Sequence, residues 1–96
     1  MEFGHLITEQ REKILRIARA HGAGNLRIFG SYARGEEGPD SDIDLLVELE
    51  PGRSLLDIIA IKQEIEDVVH RKVDVVTMAS ISPYIRDEIL QEAVAL

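Results

Sequence analysis

Apolar residues recur along this chain with two periods, and the switches between them mark out the elements. Ile14, Leu15, Ile17 and Ala18 share one helical face. This spacing predicts a helix capped by Thr8, with Glu9 in its first turn and His21-Gly22-Ala23-Gly24 ending it. Leu26 to Phe29 reads as a short strand with Leu26 and Ile28 on one side. It runs into Gly30-Ser31, where Ser31 is placed to cap a short helix through about Arg34. Glu36-Glu37-Gly38-Pro39-Asp40-Ser41 has the residues of a loop. Ile43, Leu45, Val47 and Leu49 then alternate as the buried face of a second strand, leaving Asp42, Asp44, Leu46 and Glu48 on the other.

Pro51-Gly52 breaks that strand. Ser54, with Asp57 three residues on, forms a capping box for a helix whose apolar stripe is Leu55, Ile58, Ile61, Ile65, Val68 and Val69. Val73 to Thr77 is a third strand with Val73 and Val75 on one side and Asp74 on the other. Ser82-Pro83 opens a final amphipathic helix carrying Ile85, Ile89, Leu90, Ala93 and Val94 to the C-terminus. Strand, helix and strand between 43 and 77 make a crossover unit whose strands run parallel, right-handed by the general rule. If those strands are neighbours and start level, Asp74 lies beside Asp44.

Composition narrows the setting. At 96 residues the expectation is a single domain over 1–96 with one core. The net charge is −7, from 18 acidic and 11 basic residues, and no Lys/Arg block is long enough to follow a nucleic-acid backbone. Nucleic acid is therefore a poor partner. Met1-Glu2-Phe3-Gly4-His5 lacks the features of a signal peptide, and no apolar run approaches a membrane span of roughly 18 residues. The expectation is a soluble cytoplasmic protein without a membrane partner. The absence of cysteine excludes disulfides and thiolate metal sites.

The chemistry concentrates in residues 30–44 and at Asp74. Asp42 and Asp44, two positions apart in extended chain, leave one face about 6.5–7 Å apart at the backbone, close enough to share cations. Asp74 would be a third acid. Mg²⁺ suits such a set, since it takes oxygen ligands from one or two carboxylates plus substrate phosphates. Two ions about 3.5–4 Å apart would activate an attacking hydroxyl and stabilise a leaving pyrophosphate. Gly30 allows close approach of a polyphosphate, Ser31 supplies N–H and hydroxyl donors, and Arg34 could add a bidentate contact.

Each piece also has a plain reading. Gly-Ser is a common turn, Arg34 could pair with Asp40 or Glu37, and the face bearing Asp74 could simply be solvated. Asp40, Asp42 and Asp44 begin like a calcium loop, but Leu45 and Pro51 stand where that loop requires Gly and Glu. A glycosyltransferase also uses Asp-x-Asp, yet the Gly-Ser turn and small size argue against it. His5, His21 and His70 lack ligand spacing, with His70 better explained by a helix C-terminus. Arg71-Lys72 reads as a solvated pair. Tyr32 and Tyr84 are open between exposed acceptors and packing residues.

Gly30-Ser31-Tyr32-Ala33-Arg34-Gly35, five residues, then Ser41-Asp42-Ile43-Asp44-Leu45 resembles the motif of nucleotidyltransferases of the DNA polymerase β type, closest to the minimal nucleotidyltransferases (MNT). The resemblance implies an α/β nucleotidyltransferase fold with a small mixed sheet of about three strands flanked by helices. It implies Gly30, Ser31 and Arg34 as nucleotide-binding residues, and Asp42, Asp44 and Asp74 as catalytic residues and metal ligands. The implied cofactor is Mg²⁺, as two ions, with ATP as substrate. Family members of this size pair with a small helical HEPN-type toxin, act as its antitoxin, and transfer AMP to a tyrosine of it. Larger relatives carry extra acceptor-binding domains, so the expectation is that a partner supplies the acceptor site. Another class stays open: a non-catalytic nucleotide-binding module that neutralises its partner by stoichiometric masking. Self-association stays open too.

Overall fold

The computed structural model describes residues 5–96. In order these form α1 (His5–Ala20), β1 (Ala23–Phe29), α2 (Ser31–Arg34), β2 (Ile43–Leu49), α3 (Leu55–Val69), β3 (Val73–Thr77), a 3₁₀ turn (Met78–Ser80), α4 (Pro83–Glu92) and β4 (Val94–Ala95). The strands make one mixed sheet in the order β3-β2-β1-β4. β2 is parallel to β3, while β1 is antiparallel to both β2 and β4.

Alternation along β2 decides the layering. Ile43, Leu45 and Val47 point to one face, where they join Ile28, Val73, Ile14, Ile61 and Ile65 in a closed apolar core. α1 and α3 cover that face and pack on each other. The Ser54–Asp57 capping box is present: the Leu56 amide donates to Ser54 Oγ at 3.2 Å, and the Ser54 amide donates to Asp57 Oδ2 at 3.0 Å. Asp44, Leu46, Asp74 and Val76 occupy the alternate positions. Ser82 caps α4 as expected, accepting from the Tyr84 amide, with Pro83 in the first turn.

Four expectations change. α1 already begins at His5, so Thr8 lies inside it and caps nothing. β1 begins at Ala23, because a bulge between Gly24 and Arg27 shifts the register, with Asn25 at φ 48°. A bulge resets the two-residue period, so Ala23 and Leu26 are both buried although three positions apart. The sheet has a fourth strand: α4 stops at Glu92, and Val94 pairs with Ile28 while the Leu96 amide donates to Leu26 O at 3.0 Å. In α3, Ile61 and Ile65 are buried as expected, but Leu55 at the head of the stripe is 72% exposed, beside exposed Leu56 and Ile59.

Candidate active site

The Gly30–Gly35 segment is a single helical turn locked at both ends by glycine. Gly30 precedes α2 with φ 75° and ψ −153°, a conformation that strains any side chain-bearing residue. Gly35 ends the turn at φ 71°, with its amide donating to Tyr32 O and that of Glu36 to Ser31 O. Ser31 is thus the first helical residue rather than the cap, which is Gly30. Tyr32 and Ala33 turn into the core, which resolves Tyr32 as a packing residue, whereas Tyr84 is 95% exposed. Arg34 is left pointing outward.

A Cβ built on Gly30 would lie 2.2 Å from Asp44 Oδ2. Position 30 is therefore glycine for two reasons: its backbone angle, and the Asp44 carboxylate seated directly against it. The opposite side of Asp44 is set by register. β2 and β3 pair with Asp44 level with Asp74, as the crossover argument expected, and Phe29 of β1 is level with Asp44 on the other flank. Glu66 of α3 fixes where β3 begins by accepting from the Val73 amide at 2.9 Å and from Lys62 Nζ at 2.8 Å. Those two donors, Lys62 first, hold the Glu66 carboxyl below its usual range. Sequence reading missed this anchor, although a Lys and a Glu four apart on a helix were its signal.

Burial, then the charges of Asp74, Asp42 and Glu92, push the Asp44 carboxyl up to about 6, opposed only weakly by Arg34. Asp42 is within electrostatic reach of Asp44. It borders a separate polar hollow with His70, Arg71 and Lys72, its Oδ2 4.0 Å from Lys72 Nζ. Asp44 and Asp74 instead line a cleft of ≈ 610 Å³ walled by Phe29, Val76, Ile81, Ile85 and Ile89. Among the described residues no three acidic or histidine side chains converge into a ready cation cage. Of the expected Asp42, Asp44 and Asp74, the last two line one cleft and Asp42 borders the neighbouring hollow, close enough to Asp44 for its charge to be felt there.

Arg34 does not pair with Asp40 or Glu37. Its Nε donates to Glu36 Oε1 at 2.9 Å, and a terminal nitrogen donates to Glu92 at the end of α4. These carboxylates, the Glu36 hydrogen bond foremost, raise the Arg34 pKa further. Glu92 had no signal in the chain, lying 58 positions from Arg34.

A mixed α/β sheet that sets a glycine-locked turn against one strand-borne acid, and a second acid level with it on the parallel neighbour, defines a nucleotidyltransferase. The chain belongs to the Nucleotidyltransferase domain family, whose model matches residues 10–96. It is 50% identical to a Methanocaldococcus jannaschii protein provisionally named a protein adenylyltransferase, over 92% of this chain and 95% of that one. It is 35% identical to the protein adenylyltransferase MntA of Thermococcus cleftensis, over 93% and 95% of the two chains. A solved structure provisionally described as a minimal nucleotidyltransferase matches with a TM-score of 0.87 at 41% identity, covering 100% of this chain and 97% of that one. At 19% identity, where only the fold is compared, a chain in the structure of a tri-AMPylated Shewanella oneidensis HEPN toxin with its MNT antitoxin gives a TM-score of 0.70, over 92% and 69% of the chains.

Proposed function

We propose that this protein transfers AMP from ATP to a hydroxyl of a partner protein, in the cytoplasm, as the antitoxin of a HEPN/MNT pair. The observation that carries the reading is the level pairing of Asp44 and Asp74 across β2 and β3, with Gly30 against the Asp44 carboxylate. Relatives named protein adenylyltransferases support the reaction, and the fold shared with an MNT antitoxin supports the partner.

The Gly30-Ser31 turn holds the triphosphate through its amides and the Ser31 hydroxyl, and Arg34 adds a charged contact. α2 is one turn long, so these local donors rather than a helix dipole do the binding. The Mg²⁺ that the resemblance implies fits the donor set, which is all oxygen and gathers the acids Asp42, Asp44 and Asp74 within electrostatic reach of one another. Asp42 and Asp44 would hold it, with Asp74 as the third acid, and it would neutralise phosphate charge during transfer. The acceptor oxygen attacks the α-phosphorus, its bond to phosphorus forms as the α–β phosphoanhydride bond breaks, and pyrophosphate departs. Asp74 receives the hydroxyl proton, and the apolar cleft beside it seats the acceptor side chain.

Asp74→Asn tests this directly. The variant should fold, bind MgATP and bind its partner, yet transfer nucleotide at least about 100-fold more slowly. Mass spectrometry of the co-purified partner reads transfer as a gain of one AMP mass or a multiple of it. A wild-type protein that neutralises its partner without that gain, with any of the four nucleotides, acts by masking and not by catalysis.

A further inference from the structure

Arg34 is the cationic side chain of the proposed phosphate turn, and it is already engaged by an anion of this chain. Glu92, the last residue of α4, accepts from its guanidinium while Glu36 takes the Nε. Glu92 is also near enough to Asp44 to add to the negative charge around it. A triphosphate arriving at Gly30-Ser31 therefore meets two obstacles from one carboxylate. It must take over the N–H that Glu92 occupies, and it must place its own charge beside Glu92 in a site already lined by Asp44 and Asp74.

The element that carries Glu92 is lightly held. α4 itself has no buried residue, and it is the segment after it that is anchored, by pairing of Val94 and Ala95 with β1, by the Leu96 amide on Leu26 O and by Arg11 on Leu96 O. The Arg34–Glu92 pair is thus a cross-link between the phosphate turn and α4, formed between elements with little else to hold them together. Resting on the nucleotide-binding reading above, we infer that Glu92 is an internal substitute for phosphate on Arg34, a determinant of nucleotide affinity that ATP displaces, freeing the C-terminal end of α4. Where the binding-competent state is only partly populated, the apparent dissociation constant is the intrinsic one divided by that fraction, and removing the competitor restores it.

Calorimetry on the full chain with Mg²⁺ and a non-transferable ATP analogue, at one ionic strength, tests this in four proteins. Glu92→Gln should bind about three- to tenfold more tightly than wild type. Arg34→Gln should bind more weakly, and adding Glu92→Gln to it should bring no gain. A merely structural Glu92 would show unchanged or weaker binding when replaced, which overturns the inference. So does a gain that persists in full without Arg34, because that is charge repulsion alone. Amide exchange gives a second readout: saturating nucleotide should deprotect the last turn of α4 in wild type, and Glu92→Gln should show that exchange without ligand. Unchanged protection of α4 on binding would also overturn it. If wild type binds no MgATP, the functional reading falls and this one with it; if it binds and Glu92→Gln does not change affinity, only this one falls.

Discussion

The two faces of the sheet are built by opposite rules. On one, Ile14, Ile28, Ile43, Leu45, Ile61, Ile65 and Val73 are almost wholly removed from water under α1 and α3. On the other, Asp44 and Asp74 share a cleft with α4, a helix with no buried residue whose end is tied down by an ion pair. Strand alternation lets one seven-residue strand, β2, serve both: Ile43 and Leu45 stabilise the fold while Asp44 between them works against it. Stability and chemistry are thus separated by direction rather than by distance.

Three substitutions test that separation, and the largest effect lies in the core. Ile61→Ala should cost about 2–5 kcal/mol in urea unfolding, since it opens a cavity in a face with no room to collapse. A cost below about 1 kcal/mol would mean that the α3 face is not the principal core.

Gly30→Ala comes next, because it loads a strained backbone angle and drives a methyl group into the Asp44 carboxylate. The expected loss is about 1–3 kcal/mol. Stability equal to wild type would show that Gly30 and Asp44 are not packed together.

Asp44→Asn has the smallest effect and the opposite sign. A carboxyl moved from 3.8 up to about 6 binds its proton more tightly in the folded chain than in the unfolded one. Its penalty is absent below 3.8 and fully expressed above about 6, so in metal-free buffer stability should fall as pH rises across that window. Solvent screening of this half-buried group leaves about 1–2 kcal/mol. The asparagine variant should therefore be more stable than wild type by that amount at pH 7, no more stable at pH 3.5, and unable to support transfer. Melting curves across pH check this; a variant less stable than wild type at pH 7 would mean that Asp44 contributes to holding the fold.

Much of this was legible before any coordinates. Periodicity located α3, β2 and β3, the Ser54–Asp57 spacing announced its cap, and the crossover made β2 and β3 parallel, while the neighbouring, level start that puts Asp74 beside Asp44 came from the structure. Each depends on residues close in the chain or on an alternation that a buried face enforces over several positions. Only the tertiary structure decided the rest. Asn25 breaks the strand period through one backbone angle, and the chain after Glu92 becomes β4 because β1 offers it an unpaired edge. Asp42 turns to Lys72 and Arg34 to Glu92 because charged side chains choose partners by proximity in space, which leaves no periodic trace in the sequence. Apolar burial is written along a chain as a repeating pattern, whereas the pairing of surface charges depends on which ends of distant elements the fold brings together.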